Sequence, residues 1–406
     1  MTADPAAAAV AYLRSPEAIR ERAAAILAHG LDGRLDHFTV DPTRLASAAD
    51  LVAAVTRERF PSLRVPPHSR WRHFDAGGHD RLADVQHALD GLPLDERTRI
   101  KIDLVVTSVL LDAGAGPDWR YVERETGRAF HRSEGLAVAS LRLFVAGFFS
   151  SESSMPWRAD APGLLAVSDE RLGAALQVSE SNPLPGVAGR AALLRDLGRA
   201  LEQRPELFGS CPPRPGHLLD ALRARGGIEA AEVLACVLAG LGPIWPGRLE
   251  RGGVNLGDVW PHPAAGGAGP AAGLVPFHKL SQWLTYSLVE PLGEAGLAVA
   301  GVERLTGLAE YRNGGLLLDT GVLAPRHEAV MRERHRPGDE VVVEWRALTV
   351  ALLDRLVPMV RERLGVGDLS LASMLEGGTW VAGRRLADAK RGGAAPIGVE
   401  SDGTVM

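Results

Sequence analysis

Phe277-His278-Lys279-Leu280-Ser281-Gln282-Trp283-Leu284-Thr285-Tyr286-Ser287-Leu288-Val289 carries two faces at helical spacing. Leu280, Leu284 and Leu288 recur every four residues as an apolar stripe. Lys279, Gln282 and Tyr286, at i, i+3 and i+7, share a polar one. Apolar positions return at the same period over 16–29, 43–60, 99–114, 133–149, 187–203, 216–225, 228–240 and 341–365, with shorter helices near 169–177, 325–336 and 368–375. Strand patterns are few and short; one extended piece is expected at 36–41. The expectation is a mainly α, multi-helix globular protein with minor β content. It is organised as a helical region 1–242, a second helical region 243–383 carrying the main motifs, and a flexible tail 384–406. Residues 1–15 are rich in Ala and read as frayed at the start. The run 243–273 is rich in Gly and Pro and has no period, so it reads as a long loop or a boundary.

The chain of 406 residues is 46% hydrophobic and 23% charged, with a formal net charge of -5, which gives no reason to expect nucleic acid or an anionic membrane as partner. Two cysteines, Cys211 and Cys236, support neither a disulfide framework nor a Cys-based zinc site. No signal-peptide pattern is visible, and no uncharged apolar run of about 18 residues occurs. A cytoplasmic location is the simplest expectation. Lysine occurs only at 101, 279 and 390, against an arginine-rich background. Lys279 is thereby singled out as a compact ammonium rather than a generic cation.

Uncommon residues crowd between 276 and 321. Glu310-Tyr311-Arg312-Asn313-Gly314-Gly315 shows neither helical nor strand period. Its Asn-Gly-Gly permits a sharp reversal that would bring Glu310, Arg312 and Asp319 together. Asp319 follows three leucines, so it is expected near the interior, where a carboxylate needs a partner. A carboxylate in a partly apolar site can act as general base toward water or stabilise a developing sugar cation. A hairpin with a surface Glu–Arg pair explains the same residues without chemistry. A second cluster, His68-Ser69-Arg70-Trp71-Arg72-His73-Phe74, follows Pro66-Pro67 and reads as an exposed or site-lining loop. Arginine forks bind phosphate or carboxylate, and aromatic rings can stack a planar group; a solvated basic loop is the commoner use of such a run. Glu344-Trp345-Arg346 adds a further candidate. The twelve histidines show no recognised metal-ligand spacing, so no metal is expected, although a site assembled in three dimensions stays open. Phosphate-loop, dinucleotide and serine-hydrolase motifs do not occur, and no cofactor is expected.

Three of these stretches, Phe277 to Leu288, Leu305-Thr306-Gly307-Leu308-Ala309-Glu310-Tyr311-Arg312-Asn313-Gly314-Gly315 and His68 to Phe74, resemble the fungal and bacterial uracil-catabolism proteins. That family long carried only a domain-of-unknown-function label. Asp103 to Gly116 and Ser133 to Phe149 extend the likeness over most of the chain. The resemblance implies work in a reductase-independent route of uracil breakdown that passes through a ribosylated urea. A second likeness is to the queuosine-salvage nucleosidases, with their Lys-x-x-Gln helix and acidic-Tyr-Arg turn. Lys279 and Gln282 match the first, and Glu310-Tyr311-Arg312 the second. It implies a DNA-glycosylase-like helical core and cleavage of an N-glycosidic bond by a carboxylate. Here Glu310 stands where those enzymes use Asp, and the Pro-Gln that follows their Arg is missing.

Together these give an expected enzyme that hydrolyses the N-ribosidic bond of a ribosylurea or its 5-phosphate. Glu310, Asp319 and Lys279 are the catalytic candidates. His278, Gln282, Tyr286, Tyr311, Arg312, Asn313 and Glu344 are the substrate-binding candidates, with Arg70, Trp71, Arg72 and His73 at the anion end. The expected partner is a small uracil-derived molecule. The alternatives are a non-catalytic binding or regulatory protein of uracil degradation, and a metal-dependent hydrolase of a ureido or amide bond.

Overall fold

Ser15 and Pro16 show how directly residue type sets a helix start here. The Ser15 side chain accepts the Ala18 amide, and Pro16 occupies the first position of the helix Pro16–Leu31, where a missing N–H costs nothing. The computed structural model describes residues 4–112, 114–116, 118–226, 228–245 and 249–400. Helices dominate it, and each strand is two or three residues long and joins a two-stranded pair. The fold is mainly α. None of the described helices is long and apolar enough to cross a membrane.

Among the described residues the chain forms two compact units, each drawn from separate stretches. One takes residues 4–68, 249–282 and 303–400; the other takes 69–245 and 283–302. These units do not coincide with the expected segments 1–242, 243–383 and 384–406.

The first unit is built around the helix Glu340–Leu364, which runs through Pro358 and ends where Gly365 turns left-handed. Val342, Val343, Trp345, Leu348, Leu352 and Leu356 are buried along it, and it packs against Pro16–Leu31, Leu45–Arg59 and Tyr311–Asp319. Strand Phe38–Val40 pairs antiparallel with Leu323–Pro325. The expected helix over 325–336 is reduced to one turn, Ala329–Arg332, because its flanks are strands. The Ala-rich N-terminal stretch is helical over Pro5–Leu13, capped by Asp4; residues 1–3, at the start expected to fray, lie outside the described residues. Val10 and Leu13 pack with Leu256, Val259 and Leu274 from the Gly- and Pro-rich region. That region holds short strands, and Trp260 lies against Gly338, where an added Cβ would meet the ring at 2.5 Å.

The C-terminal stretch also has structure. Residues 384–391 belong to the helix Trp380–Arg391, whose Ala382, Gly383 and Ala387 are buried, and Gly398–Val399 pairs in parallel with Arg334–His335. The amphipathic spacing of 380–391 explains what the reading of a flexible tail from 384 missed; 401–406 lie outside the described residues.

In the second unit Leu94–Leu111 packs against Arg132–Val145. The polar interruptions of the first of these helices turn inward. Asp103 is fully buried and accepts from Arg214 at 2.7 and 3.0 Å and from the Gly216 amide at 2.7 Å.

Candidate functional site

The Glu310 to Gly315 stretch is not a reversal. Glu310 is the N-cap of the helix Tyr311–Asp319, and its carboxylate accepts the amides of Arg312 at 3.1 Å and Asn313 at 2.9 Å. Neither glycine takes a positive φ, and Gly314 serves helix packing instead. A Cβ on Gly314 would meet the Trp345 ring at 2.6 Å, so this helix can approach Glu340–Leu364 only with no side chain there. On another side Gly383 lies so close that its Cβ would meet the Arg312 carbonyl at 2.1 Å.

This places Glu310 and Asp319 at opposite ends of one helix. Nine residues at the α-helical rise separate their Cα atoms by about 13 Å, so they do not meet at one bond. The Asp319 side chain is 6% exposed and carries a bidentate pair with Arg391, at 2.8 and 2.6 Å, with Lys390 at 3.4 Å. Burial opposes its charge, but the Arg391 bonds and the two cations hold its carboxyl below the usual range. The partner expected for Asp319 is therefore a cation of the C-terminal helix. Glu310 is half-buried, and among the described residues it makes no ion pair; each carboxylate oxygen takes one backbone amide.

Around Glu310, Arg312 is buried with its guanidinium 4.2 Å from the Trp380 ring and 4.9 Å from that of Tyr311. Asn313 is buried and donates through Nδ2 to the Leu308 carbonyl at 3.1 Å; its Oδ1 has no hydrogen-bond partner among the described residues. An acceptor left over in a buried site is costly unless a ligand or water completes it.

Lys279 opens the helix Lys279–Glu294 and is half-buried. Its backbone amide is held by Asp258, which sequence reading missed. Asp258 accepts both Nη atoms of Arg346 at 2.8 Å and the Trp260 indole at 2.7 Å. Burial alone would raise its pKa; the Arg346 charge and bonds win and hold the carboxyl well below the carboxylate range. Arg346 also lies 4.1 Å from the Phe277 ring centre. His278 has a left-handed backbone, φ 47°, and its buried Nε2–H donates to the Leu13 carbonyl at 2.9 Å. Burial pushes its pKa down. The Gln282 amide is spent within the protein: Nε2 donates to the Phe277 carbonyl and to Thr306 Oγ1, and Oε1 accepts the Thr306 amide at 2.9 Å. Glu344 is fully buried, and its Oε1 accepts the Phe38 amide at 2.8 Å.

In the second unit the part 69–74 of the basic cluster is folded rather than looped. Arg70–Phe74 is a short helix, and Arg70, Trp71, His73 and Phe74 are buried. Arg70 Nη1 pairs with Asp112 at 2.9 Å, and its Nε donates to Ser108 at 2.7 Å. Burial lowers its pKa against the pull of Asp112. Arg72 pairs with Glu290, which also accepts from Ser69 at 2.8 Å. Trp71 donates its indole to the Ser287 carbonyl at 2.8 Å. His73 Nδ1 lies 3.2 Å from Ser133 Oγ, and its ring 5.5 Å from that of Trp283. Tyr286 is fully buried. Asp112 and Glu290, far away in sequence, were not read as partners. The available signal was a carboxylate inside an apolar helical run, which has to be paired.

The likeness to the uracil-catabolism proteins is borne out. The family model described as "Protein of unknown function (DUF1688)" matches residues 12–406. The chain is 41% identical to Protein urg3 of Schizosaccharomyces pombe, over 98% of this chain and 99% of that protein. It is 36% identical to Uracil catabolism protein 4 of Lachancea kluyveri, again over 98% and 99%. Matched over nearly its whole length by the family model and by two such relatives, the chain belongs to the DUF1688 family.

Proposed function

We propose that this protein acts in uracil catabolism and hydrolyses the N-ribosidic bond of a ribosylurea, with Glu310 as the working carboxylate. Full-length similarity to a protein named for uracil catabolism supports the pathway. The observation that carries the chemistry is the contrast between the two candidate carboxylates. Asp319 is committed to Arg391, whereas Glu310 keeps lone pairs unspent at the head of a helix, beside the unpartnered Asn313 Oδ1. In this reading water delivers hydroxide to C1′ of the ribose as Glu310 takes its proton. The C1′–N bond breaks, and the ureido nitrogen leaves with the bonding pair and is protonated from solvent. The products are urea and ribose. The carboxylate also stabilises the positive charge that develops on the sugar. Asn313 Oδ1 accepts from a hydroxyl or an amide N–H of the substrate. The free riboside is favoured over its 5-phosphate, because Arg70 and Arg72 are already neutralised by Asp112 and Glu290.

The test is incubation of the purified full chain with ribosylurea and with its 5-phosphate, following urea and free sugar by mass. The wild type is expected to release urea, and Glu310→Gln to lose at least about 100-fold in turnover while keeping its circular dichroism. Urea from neither substrate, or undiminished turnover in Glu310→Gln, would overturn the reading. Saturable binding of the riboside without product would point instead to a binding role.

A further inference from the structure

The head of the helix Glu340–Leu364 carries side chains that the proposed glycosidic chemistry does not use. Glu340 and Glu344 are four apart and so lie on one face. His37, just before strand Phe38–Val40, comes to the same place, with Nε2 3.9 Å from Glu340 Oε1. One ligand atom from each of His37, Glu340 and Glu344 lies within 4.8 Å of the others.

Glu344 is the informative member. Its side chain is fully buried. Oε1 accepts the backbone amides of Phe38 at 2.8 Å and His37 at 3.3 Å, which fixes the carboxylate. Oε2 has no hydrogen-bond partner among the described residues. A buried carboxylate oxygen without a hydrogen bond is costly. The surrounding histidines are arranged to suit a cation. His262 accepts the Ala264 amide at Nδ1, at 3.1 Å, so its proton sits on Nε2, which faces Glu344 Oε2 at 3.7 Å. His327 Nε2 lies 3.2 Å from His37 Nδ1. If Nδ1 of His37 donates to His327, the Nε2 lone pair of His37 points toward Glu340. Outer partners that orient an imidazole and a carboxylate in this way are the usual support of a metal-binding set.

We propose that His37, Glu340 and Glu344 bind one divalent first-row transition-metal ion, with His327 and His262 as positioning residues. One imidazole with two carboxylates is the donor set of zinc, manganese or iron(II) rather than of calcium or a thiolate-bound metal. Two carboxylates and a neutral imidazole leave the occupied site electrically neutral, and solvent completes the coordination on the side of the half-exposed Glu340. Bonds of about 2.1 Å require the three ligand atoms to draw in by roughly 1 Å or less, a movement within reach of the flexible Glu340 side chain. The ion would clamp the start of the long helix to the Phe38–Val40 strand. The inference does not depend on the glycosidic reading.

The experiment uses the full chain, stripped with a chelator and dialysed, then titrated with Zn²⁺ by calorimetry and with Co²⁺ by visible absorption. One ion per chain is expected, with a rise in thermal midpoint on binding. His37→Asn and Glu340→Gln should each weaken binding at least about tenfold and remove the Co²⁺ ligand-field bands, while the exposed-site control His87→Asn retains both. Glu340 is exposed enough that its glutamine variant should fold, and apo thermal midpoints check this. Absence of a saturable one-to-one ion, or undiminished binding in His37→Asn and Glu340→Gln, would overturn the site.

Discussion

A single residue, Asp319, shows how local sequence can point to a buried carboxylate without saying what it is for. Three leucines before it announce the interior, and an interior carboxylate must be paired. Arg391 meets it with both nitrogens, the planar fork that lysine cannot offer. The consequence is measurable by a double-mutant cycle of Asp319→Asn and Arg391→Met in chemical denaturation. A coupling of about 1–3 kcal/mol is expected for groups in direct contact. A coupling indistinguishable from zero would show that the pair adds nothing to the hold of Trp380–Arg391 on Tyr311–Asp319. Glu310 is the contrasting residue: it is tied only by two backbone amides, and its substitution is expected to be felt in turnover.

The helix Tyr311–Asp319 is where local reading and structure part. Asn-Gly-Gly reads as a turn because glycine is the residue that tolerates positive φ. Here both glycines are helical, and the reason for Gly314 lies some thirty residues downstream in the ring of Trp345, which no local window contains. The neighbours should therefore respond with opposite sign. Gly314→Ala forces a Cβ to 2.6 Å from that ring and should cost about 1–3 kcal/mol by overpacking. Gly315→Ala meets nothing nearer than Pro396 at 3.5 Å, an ordinary contact. It should gain up to about 1 kcal/mol from the better helix propensity of alanine. Denaturant midpoints of the two variants decide it. Equal effects would mean that helix propensity, not close approach to Trp345, governs both positions.

At the scale of the whole molecule, the helical class was legible because 3.6-residue periodicity is a local property, as were the Ser15–Pro16 start and the long C-terminal helix. The stretches around Lys279 and Glu310 were also legible as the carriers of a likeness to the family that the chain belongs to. What was not legible is how the arginines are used. A chain so rich in arginine reads as a compositional background, yet buried or half-buried carboxylates are met by arginine forks at Asp103, Glu123 and Asp258 and by one arginine nitrogen at Asp112. Each partner lies tens of residues away, beyond any periodicity. Glu123 is the clearest of these hubs: Arg81 grips it with Nε and Nη2 at 2.7 and 2.6 Å, Arg142 binds it at 2.6 Å, and Thr126 donates at 2.8 Å. Burial works against its charge, but these bonds dominate and hold its pKa at about 2. A folded-state value below the unfolded one, roughly 4.3, means that the unfolded chain binds the proton first. The stabilisation is therefore complete above about pH 4.3 and is lost as pH falls toward 2. Acid unfolding followed by circular dichroism should show stability declining through that window. In Glu123→Gln the protein should be weaker at neutral pH, since the buried Arg81 and the half-buried Arg142 lose this counter-charge, and the stability difference between about pH 6 and pH 3 should shrink. An unchanged pH dependence in that variant would show that acid sensitivity originates in other carboxylates.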